Sequence, residues 1–169
     1  MGLPIEHLAT FLCLLLVASL CDLEARRIPN VVSVALVCSG LGAQLVNGGL
    51  PGLAQGLAAA LAVLAVTWFP WRRGWLGGGD VKVAVGAASW LGLADLPTFI
   101  LAAALVGGPL ALLTWGLAPA AARARVALSL RWILVTRAAP EGVAGEALVP
   151  VPYAVAVSVG ALAAILVPR

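Results

Sequence analysis

Six stretches of this chain are almost free of polar side chains, and the polar residues between them come in short clusters. The apolar runs cover residues 3–21, 31–46, 53–69, 80–93, 97–117 and 149–167. They are continuously apolar and rich in Ala and Leu, which favours helices over the alternating strands of a membrane barrel. A helix that crosses a bilayer needs about 20 residues, with a range of roughly 17 to 25. The second run is slightly short and the fourth clearly so, which predicts local thinning or partial insertion there. The expected fold is therefore all-α, a single membrane-embedded domain over residues 1–169 with about six transmembrane helices.

Composition agrees with lipid as the solvent. Of 169 residues, 63% are hydrophobic and only 10% charged, where a soluble domain carries about 25% charged residues. Abundant Ala and Gly suit helices that approach one another closely in a membrane. Two turns without basic residues, "NGGLPG" at 47–52 and "ADLP" at 94–97, separate spans on one side.

The basic residues set the orientation. Of ten Lys and Arg, Arg26 and Arg27 follow the first run, Arg72, Arg73 and Lys82 flank the gap between the third and fourth, and Arg123, Arg125, Arg131 and Arg137 follow the fifth. With six spans these three loops share one side, and the positive-inside rule makes it cytoplasmic. Both termini then face out, and in a bacterium the location is the inner membrane. The first run has Glu6 and His7 before it and no basic residue, so it reads as a span and not as a cleaved signal. The segment around Arg123, Arg125, Arg131 and Arg137 mixes arginine with Leu, Val, Ile and Trp132. It reads either as an amphipathic helix resting on anionic headgroups or as an ordinary basic connector. No nucleic-acid partner is expected.

Candidate chemistry narrows to a few acids. Glu141 and Glu146 fall in a loop, Glu6 and Asp95 on the outer side. Asp22, Glu24 and Asp80 all fall at the cytoplasmic ends of spans, where a carboxylate at a lipid boundary is costly. Two acids in one site divide a proton, so that one serves as acid and the other as base. Charge and spacing leave plainer readings open: Asp80 after three glycines as a helix cap, and Asp22 paired with Arg26 one turn on. A phosphate-binding loop is excluded, because "GGGDVK" lacks the required spacing. A carboxylate metal site has no nearby histidine, and Cys13, Cys21 and Cys38 form no C-x-x-C pair. No metal and no cofactor is expected.

Two stretches together resemble the type IV prepilin peptidases, the GxGD-type aspartic proteases of membranes. The first is Asp22 followed by "RRIPN", with Ile28, Pro29 and Asn30. The second is Gly77, Gly78, Gly79, Asp80 and then Lys82. The last run, with Pro152 and Gly160, also looks like the family's final helix. The resemblance implies a catalytic pair of Asp22 and Asp80. Gly77, Gly78, Gly79, Lys82, Glu24, Arg26, Arg27, Pro29 and Asn30 would form the supporting loop, with Glu24 in no primary role. The glycines would keep the approach to Asp80 clear of side chains.

The resemblance also implies the substrate, a prepilin with a basic leader and an apolar helix, cut at the junction of the two. The absence of paired cysteines resembles the short, peptidase-only members, such as those serving tight-adherence (Flp) pili or archaeal flagellins. Two other functions were weighed: a cation transporter using the same carboxylates, and an inactive structural subunit of a pilus assembly machine. Helix-end charges add one more expectation. Asp22 at a helix C-terminus would hold the resting proton and Asp80 at an N-terminus would act as base, with Arg26 opposing this.

Overall fold

The break at Gly49 organises the fold. The computed structural model describes residues 4–25, 28–73, 76–117, 119–120, 123–124 and 153–166. Among them lie five helices and no strand: α1 (Ile5–Ala25), α2 (Asn30–Arg72), α3 (Gly78–Leu91), α4 (Leu96–Leu117) and α5 (Tyr153–Leu166). Helix α2 is 43 residues long, but Gly49 has φ 62° and ψ −153°, outside helical geometry. A Cβ on Gly52 would overlap the carbonyl oxygen of Gln44, and one on Gly56 would lie 3.4 Å from the Leu41 side chain. Residues that far apart on a straight helix never meet, since each adds about 1.5 Å of rise. The chain therefore folds back at Gly49, and α2 is two antiparallel arms, residues 30–48 and 50–72. These arms are the second and third apolar runs, and the turn between them is "NGGLPG". Pro51 follows the break, where a helix start has no use for its missing N–H.

The second turn is built the same way. Gly92 ends α3 with φ 73°, and its N–H donates to the carbonyl of Ala88 at 3.0 Å. A side chain is strained at this φ, and glycine is the usual residue one step past a helix. Among the described residues three helices are long and apolar enough to cross a membrane: residues of α1, α2 and α4. Helix α3 has 14 residues, about 21 Å at the standard rise, short of a hydrocarbon core of about 30 Å.

Helix α3 is nevertheless the centre of the packing. Val81, Val83 and every residue from 86 to 91 are buried. Phe11, Leu15 and Ala18 of α1, Leu36 and Ala43 of the first α2 arm, Ala154 and Ala161 of α5, and Val83, Ala87 and Trp90 of α3 form one core. A smaller cluster joins Ala59 and Val63 of the second α2 arm to Ala88. Contacts at the axis use glycine. A Cβ on Gly86 would lie 2.5 Å from Leu36, one on Gly40 would meet Ser89 and Trp90, and one on Gly160 would lie 2.7 Å from the Ala103 backbone nitrogen. Such close approach is how membrane helices gain dispersion contact where burial from water offers little.

Polar atoms inside the bundle are all paired. Trp90 Nε1 donates to the carbonyl of Leu36 at 2.9 Å, and Gln44 Nε2 donates to the carbonyl of Trp90 at 2.8 Å. The Ser19 and Ser158 hydroxyls share a buried hydrogen bond of 2.9 Å between α1 and α5. Among the described residues no buried side-chain nitrogen or oxygen lacks a partner. At one end of the bundle Asn47 Nδ2 meets His7 Nδ1 at 2.8 Å. The Asp22 and Asp80 segments lie at the other end.

Candidate active site

The site is assembled from four helix ends. Helix α1 runs on to Ala25, so Asp22 lies within its last turn and not beyond it. The chain then turns, and Pro29 starts α2: its carbonyl accepts from Val32 at 3.1 Å and from Ser33 at 3.4 Å. Gly77, extended at φ −66° and ψ 136°, is the N-cap of α3 and provides no side-chain cap. Asp80 is the third residue of that helix. The cap position thus belongs to Gly77, and the reading of Asp80 as a simple helix cap does not hold.

Asp80 is half-buried, and the Asp22 carboxylate is near enough for its charge to act on it. The Asp80 carboxylate folds back over Gly77, where an added Cβ would come within 2.7 Å of Oδ2. Asp22, also half-buried, accepts a hydrogen bond at Oδ2 from the backbone N–H of Ala154, at 3.4 Å. Ala154 is the second residue of α5, so Asp22 faces the N-terminus of α5, where the partial charge is positive. The sequence sets Asp22 at the negative end of its own helix, with Arg26 opposing. It predicts the last helix over 149–167 but not that the N-terminus of that helix meets Asp22.

The two motifs touch at two further points. The buried side chain of Ile28 lies against Gly79, where an added Cβ would be 3.2 Å from its Cδ1. Lys82 Nζ donates to Asn30 Oδ1 at 2.6 Å. The three glycines face different neighbours. Gly77 leaves room for the Asp80 carboxylate itself, a Cβ on Gly78 would lie 3.1 Å from Trp71 Nε1, and Gly79 seats Ile28. Lys82 is turned towards Asn30.

The remaining sequence candidates fall as follows. Glu24 is exposed on α1. It is two residues from Asp22, and positions two apart on a helix do not share a face. Pro29 and Asn30 are exposed at the start of α2. Arg26 and Arg27 lie outside the described residues, as do Arg125, Arg131 and Arg137 and with them the expected amphipathic helix; Arg123 is described and exposed. Among the described residues no three His, Cys, Asp or Glu side chains gather to hold a metal ion.

Sequence reasoning missed the Ala154 N–H, Ser19 with Ser158, and Trp71. Ser19 and Ser158 had a legible signal, since a hydroxyl within an apolar run seeks a partner across helices. The Ala154 N–H had none, because every residue carries one.

Two half-buried carboxylates at one end of a helical bundle suit proton exchange with a substrate and a water molecule. No curated protein and no solved structure matches this chain. A model of the type IV leader peptidase family matches residues 9–112, which span α1 to α4 and contain both Asp22 and Asp80. The chain is a member of that family, the type IV leader peptidases.

Proposed function

We propose that this protein is a membrane aspartic endopeptidase that cuts the leader from Flp-like prepilins at the cytoplasmic face of the inner membrane. Asp22 and Asp80 together activate the attacking water. The observation that carries the reading is the pairing of the two carboxylates across α1 and α3 within the family's matched region.

In this proposal Asp22, which accepts the Ala154 N–H, serves as the base and Asp80 carries the proton of the pair. This reverses the arrangement expected from α1 and α3 alone. Asp22 takes a proton from water as the oxygen attacks the scissile carbonyl carbon. Asp80 gives its proton to the carbonyl oxygen, and a tetrahedral diol forms. The C–N bond then breaks: Asp22 hands its proton to the departing nitrogen, and Asp80 recovers one from the diol as the new carboxylic acid forms. Each aspartate ends as it began, with one water consumed.

Six spans with both termini outside are part of the same proposal. The two α2 arms supply spans two and three, and α3 is the short one. Trp68, Trp71 and Phe69, with Arg73 lying 4.8 Å over the Phe69 ring, suit a headgroup boundary near the site. Cysteine in place of Gly48 should react with an impermeant maleimide on intact cells, in a background where Cys13, Cys21 and Cys38 are alanine. Cysteine in place of Gly142 should not; external labelling of Gly142→Cys would overturn this topology.

The activity is tested with purified protein in detergent and a synthetic peptide joining a Lys/Arg-rich leader to an apolar helix of about 20 residues. The expected result is one cut at the junction, read by mass spectrometry and unchanged by chelator. Cleavage that chelator abolishes, or no cleavage of any prepilin-like peptide, would contradict the proposal.

A further inference from the structure

The Lys82–Asn30 hydrogen bond is not explained by cleavage chemistry, because neither side chain touches the carboxylate pair in any bond the structure contains. The N-cap of α2 is Pro29, which has no side-chain acceptor, and Asn30 is the first helical residue after it. Asn30 directs Oδ1 across 52 residues of sequence to Lys82, at 2.6 Å. A charged donor makes this a stronger bond than a neutral pair would form.

The geometry gives the bond a purpose. Lys82 is two residues beyond Asp80, and Asn30 is the first residue of α2, five residues after α1 ends at Ala25. Ile28, two residues before Asn30, is seated on Gly79. Residues 28–30 are thus held to the first turn of α3 at two points, one apolar and one polar. Those points fix the end of α1 against the start of α3, which is the distance separating the two aspartates.

We propose that Lys82 and Asn30 are positioning residues, a clamp that sets the spacing of Asp22 and Asp80 by tying residues 28–30 to α3. The inference rests on the peptidase reading for its catalytic consequence, but the clamp itself is a claim about distance. A misplacement of about 1 Å at a catalytic pair can cost on the order of a hundredfold in rate. Loss of one of two anchoring points is expected to cost less, about tenfold.

Both claims are read separately in the full-length protein. In the first arm, Asp22→Cys and Asp80→Cys are combined in a background with Cys13, Cys21 and Cys38 changed to alanine, and oxidative disulfide formation is timed. Lys82→Ala or Asn30→Ala should slow it several-fold, and the two together no further. Both side chains are exposed, so the fold is expected to survive, and an unchanged melting temperature checks this. In the second arm, each single change in the otherwise native enzyme should lower kcat about tenfold with KM within twofold. Lys82→Arg and Asn30→Asp, which keep a donor and an acceptor, should recover at least half of the wild-type kcat. Disulfide rates that ignore both changes, or losses that add, would overturn the clamp. A wild type that cuts no prepilin peptide while disulfide formation still responds would overturn the peptidase reading and leave the clamp standing.

Discussion

Helices α3 and α4 invert the usual relation between hydrophobicity and burial. Helix α4 is almost purely apolar, yet of its 22 residues only Phe99 and Gly107 are buried. Leu101, Leu105 and Leu112 are 62%, 66% and 68% exposed. Helix α3 is shorter and carries Asp80, Lys82 and Ser89, yet most of it is enclosed. In water this would be an unstable arrangement. In lipid it is the expected one: a leucine loses little by facing acyl chains, whereas a polar side chain must find protein partners. The site is therefore built on the least apolar helix, which the other helices surround.

The largest expected effect breaks this contrast at the glycines. Gly86→Leu or Gly40→Leu would force a side chain into space held by Leu36 or by Ser89 and Trp90. Overpacking of this kind costs about 1–3 kcal/mol or more, and a melting-temperature drop of several degrees in detergent should follow. Gly108→Leu on α4 meets nothing within 4 Å and should leave the melting temperature unchanged. Equal effects at Gly86 and Gly108 would mean that α4 is covered as fully as α3.

Next in size is Gly77→Val, whose added methyl groups would crowd the Asp80 carboxylate. Cleavage should fall at least tenfold while the melting temperature stays near that of the wild type. Trp90→Phe removes the donor to the Leu36 carbonyl but keeps an aromatic ring against Phe11, stacked at 4.9 Å. It should cost about 1 kcal/mol of stability. At the small end, Leu105→Ala and Leu112→Ala on α4 should each change stability by less than about 0.5 kcal/mol. Glu24→Gln should keep cleavage within about twofold of the wild type.

How much of this was legible in the sequence follows from what is local and what is not. The helices were legible, because a continuous apolar run has few other solutions in lipid. The turn at Gly49 was legible as the Gly- and Pro-bearing gap 47–52, although which glycine takes the positive φ was not; the second turn was expected at 94–97, and α3 ends earlier, at Gly92. Asp22 and Asp80 stood out because a carboxylate at a lipid boundary needs a reason. The division of labour among Gly77, Gly78 and Gly79 was not legible, since it depends on which neighbour approaches each one. Nor was the field at Asp22, which includes the N-terminus of α5. The contrast between α3 and α4 was only half legible. Shortness marked α3 as unusual, but burial is a property of neighbours and not of one segment.

The central claim is that Asp22 and Asp80 act as one pair sharing one proton, and its most direct test is the pH dependence of cleavage in the wild type and in two variants. The wild type should give a bell-shaped kcat/KM profile. Activity is lost at low pH, where the pair holds two protons and has no base, and at high pH, where it holds none and has no acid. Asp22→Asn and Asp80→Asn should each reduce cleavage at the optimum by about a thousandfold or more with the protein still folded and inserted. Either variant cutting the prepilin peptide at the wild-type rate would contradict the account.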